Sequence, residues 1–325
     1  MRAAVRHHYG SPDVLQVQDI AKPIAKPNEI LIRVHATTVN RTDCGVLSGK
    51  PLVFRLFTGL PKPKYAVTGT DFAGEIEAVG AEVTAFRVGE RVWGFDDNGL
   101  PTHAEYLALA ANKSILPIPD DMTYADIVAC AEGAFYALNY CKAIQKRGAN
   151  RVLVYGASGA IGSAAVQILK AQGVYVTAVC NTLNVDRVRA LGPDRVVDYQ
   201  KQDFTNDADR YDVVLDAVGK SRFRICKKLL KDTGGIYLSS ELGPNAENIW
   251  LTLFSGFTGK KKVQFPIPAD VKGALVYIND LVKTGKFKPL IDRSYPLGQI
   301  REAFVYVDSG QKSGNVILLM DEEGQ

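Results

Sequence analysis

The chain has 325 residues, long for one hydrophobic core, so two domains are expected. Hydrophobic residues make up 46% and charged residues 23%, an ordinary soluble composition, and the net charge of +4 is too small and dispersed to indicate nucleic acid. No apolar run approaches the roughly 18 residues of a membrane span, MRAAVRHHYG has no signal-peptide apolar region, and Cys44, Cys130, Cys141, Cys180 and Cys226 lack CxxC spacing, so a reducing, cytoplasmic setting is expected.

From Met1 to about Asp120 the chain predicts short strands: AAVRHH, EILIRVHATTVN, DFAGEIEAVG, ERVWGF and AEYLALA, separated by Gly, Pro, Asn and Asp. Pro51 to Thr70 interrupts them with prolines and aromatics, as a cleft lining or an ordinary long loop. A helical stretch follows Met122. The chain then alternates: strand Arg151–Tyr155, helix Ala160–Gln172, strand Val174–Cys180, helix Val185–Leu191, strand Arg195–Asp198, strand Asp212–Asp216, helix Arg222–Leu230 and strand Gly235–Ser239. That rhythm predicts a doubly wound parallel sheet. Lys260 to Lys262 reads as a solvated turn, Ala269–Thr284 as a helix, and the tail as a strand, a helix over Leu297–Asp308 and a final strand.

The centre of the pattern is RVLVYGASGAIGSAAVQILKAQG, Arg151 to Gly173. A buried strand runs into Gly156, Gly159 and Gly162, and a helix with Ile161, Ala165, Ile168 and Leu169 on one face follows. Glycines let the backbone turn and approach a pyrophosphate, and the helix N-terminus favours an anion. The usual GxGxxG fingerprint would need glycine at Ala157; here it comes one residue earlier. A strand-to-helix turn without a ligand is the bland alternative.

VNRTD (Val39–Asp43), GTDFAGEIEAVG (Gly69–Gly80), VGERVWG (Val88–Gly94), YGASGAIG (Tyr155–Gly162), YDVVLDAVG (Tyr211–Gly219), and KPLIDRSYPL with SGNVI near the end occur in this order. In these the chain resembles the medium-chain dehydrogenase/reductases, in particular the zinc-free quinone oxidoreductases related to zeta-crystallin and the alkenal/enone reductases. The resemblance implies an α/β fold: a GroES-like β-rich catalytic domain (1–121 and 266–325) and a Rossmann domain with a doubly wound parallel sheet (122–265).

Zinc-bearing relatives have CRTD where this chain has NRTD and GHE where it has GTD, so Asn40 and Thr70 stand at two ligand positions. Cys130 lies near the third and reads as a small buried residue. No metal is therefore expected. Without a Lewis acid the reading favours hydride delivery to quinones or α,β-unsaturated carbonyls over alcohol oxidation. A zinc-type alcohol dehydrogenase and a cofactor-binding structural or regulatory protein are the alternatives, and no YxxxK occurs to support a short-chain dehydrogenase.

The cofactor expected is NADPH. After the second strand, Cys180, Asn181 and Thr182 offer no carboxylate for a ribose 2′-OH, Arg187 is close, and Tyr199 stands where relatives contact a 2′-phosphate. The resemblance places the cofactor on Gly156, Ala157, Ser158, Gly159, Ala160, Ile161, Asn181, Thr182, Arg187, Tyr199, Val218 and Asn315. For catalysis it points to Asn40, facing the nicotinamide and hydrogen-bonding a substrate oxygen, with Asp43 orienting it. Tyr65 is a candidate proton donor, and His103 reads as a surface or strand-end histidine. A small-molecule substrate and a homodimer complete the expectation, with no nucleic acid or membrane partner.

Overall fold

The computed structural model describes residues 1–239, 241, 243, 247–258, 260–266 and 268–320. The first half of the chain forms β1 (Arg2–Val5), β2 (Gln16–Asp19), β3 (Glu29–Val39), α1 (Arg41–Ser48), α2 (Val53–Thr58), β4 (Asp71–Val79), β5 (Arg91–Phe95), β6 (Tyr106–Ala110), β7 (Ile115–Pro117), α3 (Tyr124–Val128) and α4 (Glu132–Gln145). There follow β8 (Arg151–Tyr155), α5 (Ala160–Ala171), β9 (Tyr175–Cys180), α6 (Val185–Arg189), β10 (Arg195–Asp198), β11 (Val213–Asp216), α7 (Phe223–Cys226) and β12 (Ile236–Ser239). The last elements are α8 (Glu247–Thr258), β13 (Lys262–Gln264), α9 (Val271–Lys283), β14 (Ile291–Pro296), α10 (Ile300–Asp308) and β15 (Asn315–Leu319).

Two units form. The first comprises Met1–Glu132, Asp270–Asp280 and Ile291–Gln325; the second comprises Gly133–Ala269 and Leu281–Leu290. Leu281–Leu290, expected with the β-rich domain, belongs to the second unit. Residues 321–325, at the end of that expected domain, lie outside the described residues.

The first unit is GroES-like. Its seven-stranded sheet runs β14-β15-β3-β4-β5-β7, with β6 also on β3. Apolar side chains from β3, β4, β5, β6, α10 and β15, including Ile32, Phe72, Val92, Leu107, Phe304 and Leu318, make its core. β3 is the organising strand, with β4, β6 and β15 all paired to it. Its C-terminal end is buried on both faces, which takes Thr37 and Thr38 out of water together with Val39. Buried hydroxyls need partners, and Asp71 at the start of β4 supplies them. Its Oδ1 accepts from Thr37 Oγ1 at 3.0 Å and Thr38 N–H at 2.8 Å, and its Oδ2 from Thr38 Oγ1 at 2.6 Å.

β3 turns directly into α1. Asn40 caps that helix with extended backbone, and Asp43 at the third helical position accepts the Asn40 N–H at 2.8 Å. This helix and the short α2 are absent from the strand-only expectation for residues 1–120. Local capping chemistry in NRTD outweighs the β-rich composition around it.

The second unit is a Rossmann sheet of parallel strands in the order β10-β9-β8-β11-β12-β13. β8 is central, and the direction of winding reverses between β8 and β11. Ligands of such sheets bind at that switch point, beyond the carboxyl ends of the strands. α5 is buried along most of its length, from Ala160 to Leu169, as its small and branched residues require. Lys262, expected at the end of a solvated turn, instead opens the edge strand β13 on β12.

Candidate functional site

In the second unit the β8–α5 turn is shaped by two glycines. Gly156 has φ +82, and a Cβ on it would lie 2.5 Å from Val218 Cγ1. A Cβ on Gly162 would lie 2.1 Å from the Gly156 carbonyl oxygen, so only glycine lets α5 sit this close to the turn. The N–H groups of Gly156 and Ala157 are held by the Val179 carbonyl at 3.1 and 3.0 Å. Gly159 caps α5 without any side-chain hydrogen bond. The turn beside Ser158, Ala160 and Ile161 thus presents a helix N-terminus that no side chain neutralises. That arrangement fits a pyrophosphate.

The partner loop after β11 is fixed by Asp216, fully buried. Its Oδ1 accepts from Val218 N–H at 3.2 Å and Gly219 N–H at 2.8 Å; its Oδ2 accepts from Ser221 N–H at 2.8 Å and Tyr237 Oη at 2.9 Å. This holds Val218 against Gly156, as the grouping of both at the cofactor requires.

At the end of β9, Asn181 Oδ1 accepts from Asn184 Nδ2 at 2.6 Å. Thr182 donates its N–H to Gln200 Oε1 at 3.0 Å and its hydroxyl to Asp198 Oδ2 at 2.7 Å. Arg187 follows on α6. Tyr199 is 44% exposed and meets Tyr155 edge-on, with ring centroids 6.2 Å apart. These two rings, Gln200, Lys201 and Phe204 line a shallow hollow of about 310 Å³. Lys201 adds a cation here that the sequence reading passed over; its Nζ is 3.9 Å from Asp198 Oδ2.

In the first unit a polar cluster is buried around Glu132, the first residue of α4. Thr42 donates to its Oε1 at 2.8 Å, and Asn40 Nδ2 and Thr70 Oγ1 donate to its Oε2 at 3.0 and 2.9 Å. The second amide hydrogen of Asn40 goes to Thr38 Oγ1, which in turn donates to Asp71. Asn40, expected to face a nicotinamide, therefore spends both hydrogens inside the protein. Asn40, Asp43, Thr70, Asp71 and Glu132 are all buried, whereas Thr42 is half-buried.

Three carboxyls share this small volume, and burial raises each above its ordinary range. Glu132 is pushed up to about 8, first by loss of hydration and then by the Asp43 and Asp71 charges; bonds from Thr42 and Thr70 oppose this. Asp43 rises to about 7 by burial, against the Asn40 N–H, Arg6 and Lys312, and Asp71 to about 6 by burial, against its bonds from Thr38. The α4 N-terminus favours a Glu132 carboxylate by about 1 kcal/mol, under one unit on the pKa scale. Lost hydration is the larger effect, and the cluster holds a proton at neutral pH.

The family's zinc does not fit these residues. An amide and a hydroxyl stand at two ligand positions, and both donate to the Glu132 carboxyl. Among the described residues no group of three or more His, Cys, Asp or Glu side chains could hold a metal ion. Cys130 is buried, with its thiol pushed upward by burial, and its Sγ donates to the Asp126 carbonyl at 3.4 Å.

His103 is not a surface histidine. It is fully buried, its Nδ1 is 2.9 Å from Thr68 Oγ1 and its Nε2 is 3.0 Å from the Thr38 carbonyl. Burial lowers its pKa, so it is a neutral imidazole bracing β3. Tyr65 is 58% exposed, with the Lys64 ammonium 5.1 Å from its ring centroid. Asn315 opens β15, buried and opposite Ile291.

Glu132 is the residue the sequence reading missed. Its signal was present: one acid inside the otherwise apolar run IVACAEGAFYAL, Ile127 to Leu138. A carboxyl at such a place is buried, and a carboxyl that loses its hydration has a displaced pKa.

The alcohol dehydrogenase GroES-like domain family matches residues 26–120 and the zinc-binding dehydrogenase family residues 191–318. The mitochondrial NAD(P)H oxidoreductase RTN4IP1 of Drosophila melanogaster is 30% identical, over 99% of this chain and 87% of its own. The chloroplast envelope quinone oxidoreductase homolog of Arabidopsis thaliana is 29% identical, over 98% of both chains. Among solved structures, the quinone oxidoreductase from Coxiella burnetii superposes with a TM-score of 0.83 at 22% identity, over 99% of both chains.

Proposed function

Because this chain belongs to the medium-chain dehydrogenase/reductase superfamily, in its zinc-free quinone oxidoreductase branch, we propose that it is an NADPH-dependent reductase of quinones or α,β-unsaturated carbonyls. It is an oxidoreductase that uses a nicotinamide cofactor. The observation that carries the finer reading is the uncapped glycine turn beside a β9 end with no acidic residue from Asn181 to Val185. Arg187, Tyr199 and Lys201 suit a 2′-phosphate; of the carboxylates there, Asp198 is engaged by Thr182 and Gln200, and Asp203 by Thr205 and Asn206.

When bound, the nicotinamide supplies a hydride. The chain's own residues hold the pyrophosphate at Gly156–Ile161, fix the partner loop through Asp216, and keep a buried proton at Glu132. Among the described residues no Lewis-acid ligand set supports oxidation of a saturated alcohol, whereas conjugated acceptors are already activated for hydride. Cytoplasmic location and a homodimer belong to the same proposal; the five free cysteines suit reducing surroundings.

The test is consumption of NADPH and NADH with 1,4-naphthoquinone, 2-cyclohexenone and crotonaldehyde, beside a saturated alcohol with the oxidised cofactors. A conjugated acceptor consuming NADPH at least tenfold more efficiently than NADH is the expected result. Turnover of the alcohol alone, or NADPH binding without oxidation across the panel, overturns the reading.

A further inference from the structure

Hydride reduction of a conjugated carbonyl needs a proton as well as a hydride. The hydride's electron pair ends on the acceptor's oxygen, which must then gain hydrogen. Tyr65 is the donor the sequence suggests. The buried cluster around Glu132 offers a different arrangement.

Glu132 is saturated on the Oε2 side by Asn40 and Thr70. Those two bonds fix the carboxyl plane and leave Oε1 facing Thr42 Oγ1 at 2.8 Å. Thr42 is the one member of the trio around this carboxyl that is not buried. With a proton on Oε1, Glu132 donates to the Thr42 oxygen, and the Thr42 hydroxyl hydrogen is then released from the carboxyl. Asp43 at the third helical position of α1, Asp71 on β4, and Lys312 before β15 are the charged groups around it, with Arg6 acting on Asp43. Cys44, its thiol raised to about 12 by burial, stays protonated.

We propose that Glu132 is the proton source for the reduced acceptor, delivering through the Thr42 hydroxyl, while Asn40 and Thr70 position the carboxyl. This rests on the reductase reading above. The acceptor's oxygen forms an O–H bond with the Thr42 hydrogen as Thr42 takes the hydrogen of Glu132. Glu132 is left as a carboxylate, and water returns the proton through the same hydroxyl. A quinone leaves as quinol; an enone leaves as its enol and ketonises in solution. Thr42 is the group that touches the acceptor, and Glu132 acts through it.

Three variants test this: E132Q, T42V and T42S. Glutamine keeps the hydrogen bonds, since its oxygen accepts from Asn40 and Thr70 and its amide donates to Thr42, but it carries no transferable proton. Both E132Q and T42V are expected to lower kcat about 100-fold with the Kd for NADPH within about twofold, and T42S to restore it. The wild-type rate is expected to fall on the alkaline side near pH 8, and E132Q is expected to lose that limb. Independently of turnover, infrared difference spectra of the cofactor-free protein across that range should show a protonated carboxyl band that disappears in E132Q.

E132Q with a wild-type kcat and alkaline limb overturns the proposal, as does a T42V enzyme as fast as T42S. So does a loss in E132Q that follows the Kd for NADPH, because that is a structural role. If the wild-type protein consumes no NADPH with any acceptor, the reductase reading fails instead, and the infrared titration still reports whether Glu132 holds its proton.

Discussion

Replacing Glu132 by glutamine should change how stability depends on pH, in a direction opposite to that of an ordinary surface glutamate. The folded pKa of Glu132 is raised from 4.5 to about 8. Between those values the folded protein binds a proton at Glu132 and the unfolded chain does not. Stability from this group is therefore complete below about pH 4.5 and declines until the folded pKa is passed. One such proton is worth about 1.4 kcal/mol per pH unit. From pH 5.5 to 7.5 the wild type should lose about 3 kcal/mol through this carboxyl, and E132Q should lose none of it. Asp43 and Asp71 are raised as well and interact with Glu132, so the wild-type slope is the sum of several groups and the difference between the two proteins reports Glu132 together with its coupling to them. Urea denaturation of both at half-unit pH steps gives that difference directly. A carboxylate ionised throughout the window would give parallel curves, and parallel curves refute the claim that burial outweighs the helix N-terminus and the threonine hydroxyls.

Two further substitutions probe the dinucleotide turn. Gly162→Ala puts a Cβ 2.1 Å from the Gly156 carbonyl, so α5 must move off the turn; the expected cost is about 1–3 kcal/mol of stability and at least tenfold in NADPH affinity by titration calorimetry, and unchanged affinity would mean that the turn does not hold the pyrophosphate. Asp216→Ala strips the acceptor from three backbone N–H groups and the Tyr237 hydroxyl, leaving buried donors unpaired; a loss of about 2–5 kcal/mol in guanidinium denaturation is expected, and a loss below 1 kcal/mol would show that the loop after β11 is organised by something else.

The two units were unequally legible in the sequence, for a physical reason. β8, α5, β9, β10 and β11 each carry their own signal: short branched apolar runs, a 3.6-residue apolar face, glycines between. Their observed limits differ from the expected ones by no more than one residue. Such elements are specified locally, and the parallel order follows from the strand–helix alternation. The polar site of the first unit is specified by partners far apart in the chain. Glu132 meets Asn40, Thr42 and Thr70, between 62 and 92 residues away, and no periodicity connects them. His103 went wrong for the same reason: a histidine in PTHAEYLAL looks exposed until Thr68 and the Thr38 carbonyl are placed on its two nitrogens.

The losses at the family's zinc positions and the gain of Glu132 have one chemical meaning. A metal site there would need deprotonated donors pointing inward at a cation. Here the same positions point hydrogen-bond donors inward, from Asn40 and Thr70, at a single carboxyl. Such donors would stabilise Glu132 as an anion if water reached it, yet Asp43 and Asp71 crowd it with like charge and burial removes its hydration. The balance leaves a carboxyl that can hold a proton at neutral pH and release it when its surroundings change. Asn40 is then more than a lost cysteine: replacing it by alanine should free one side of Glu132 and leave the Thr38 hydroxyl without its second partner. Proton transfer would suffer before cofactor binding does, so kcat should fall in N40A while the Kd for NADPH holds. An equal fall in both would assign Asn40 to cofactor binding instead.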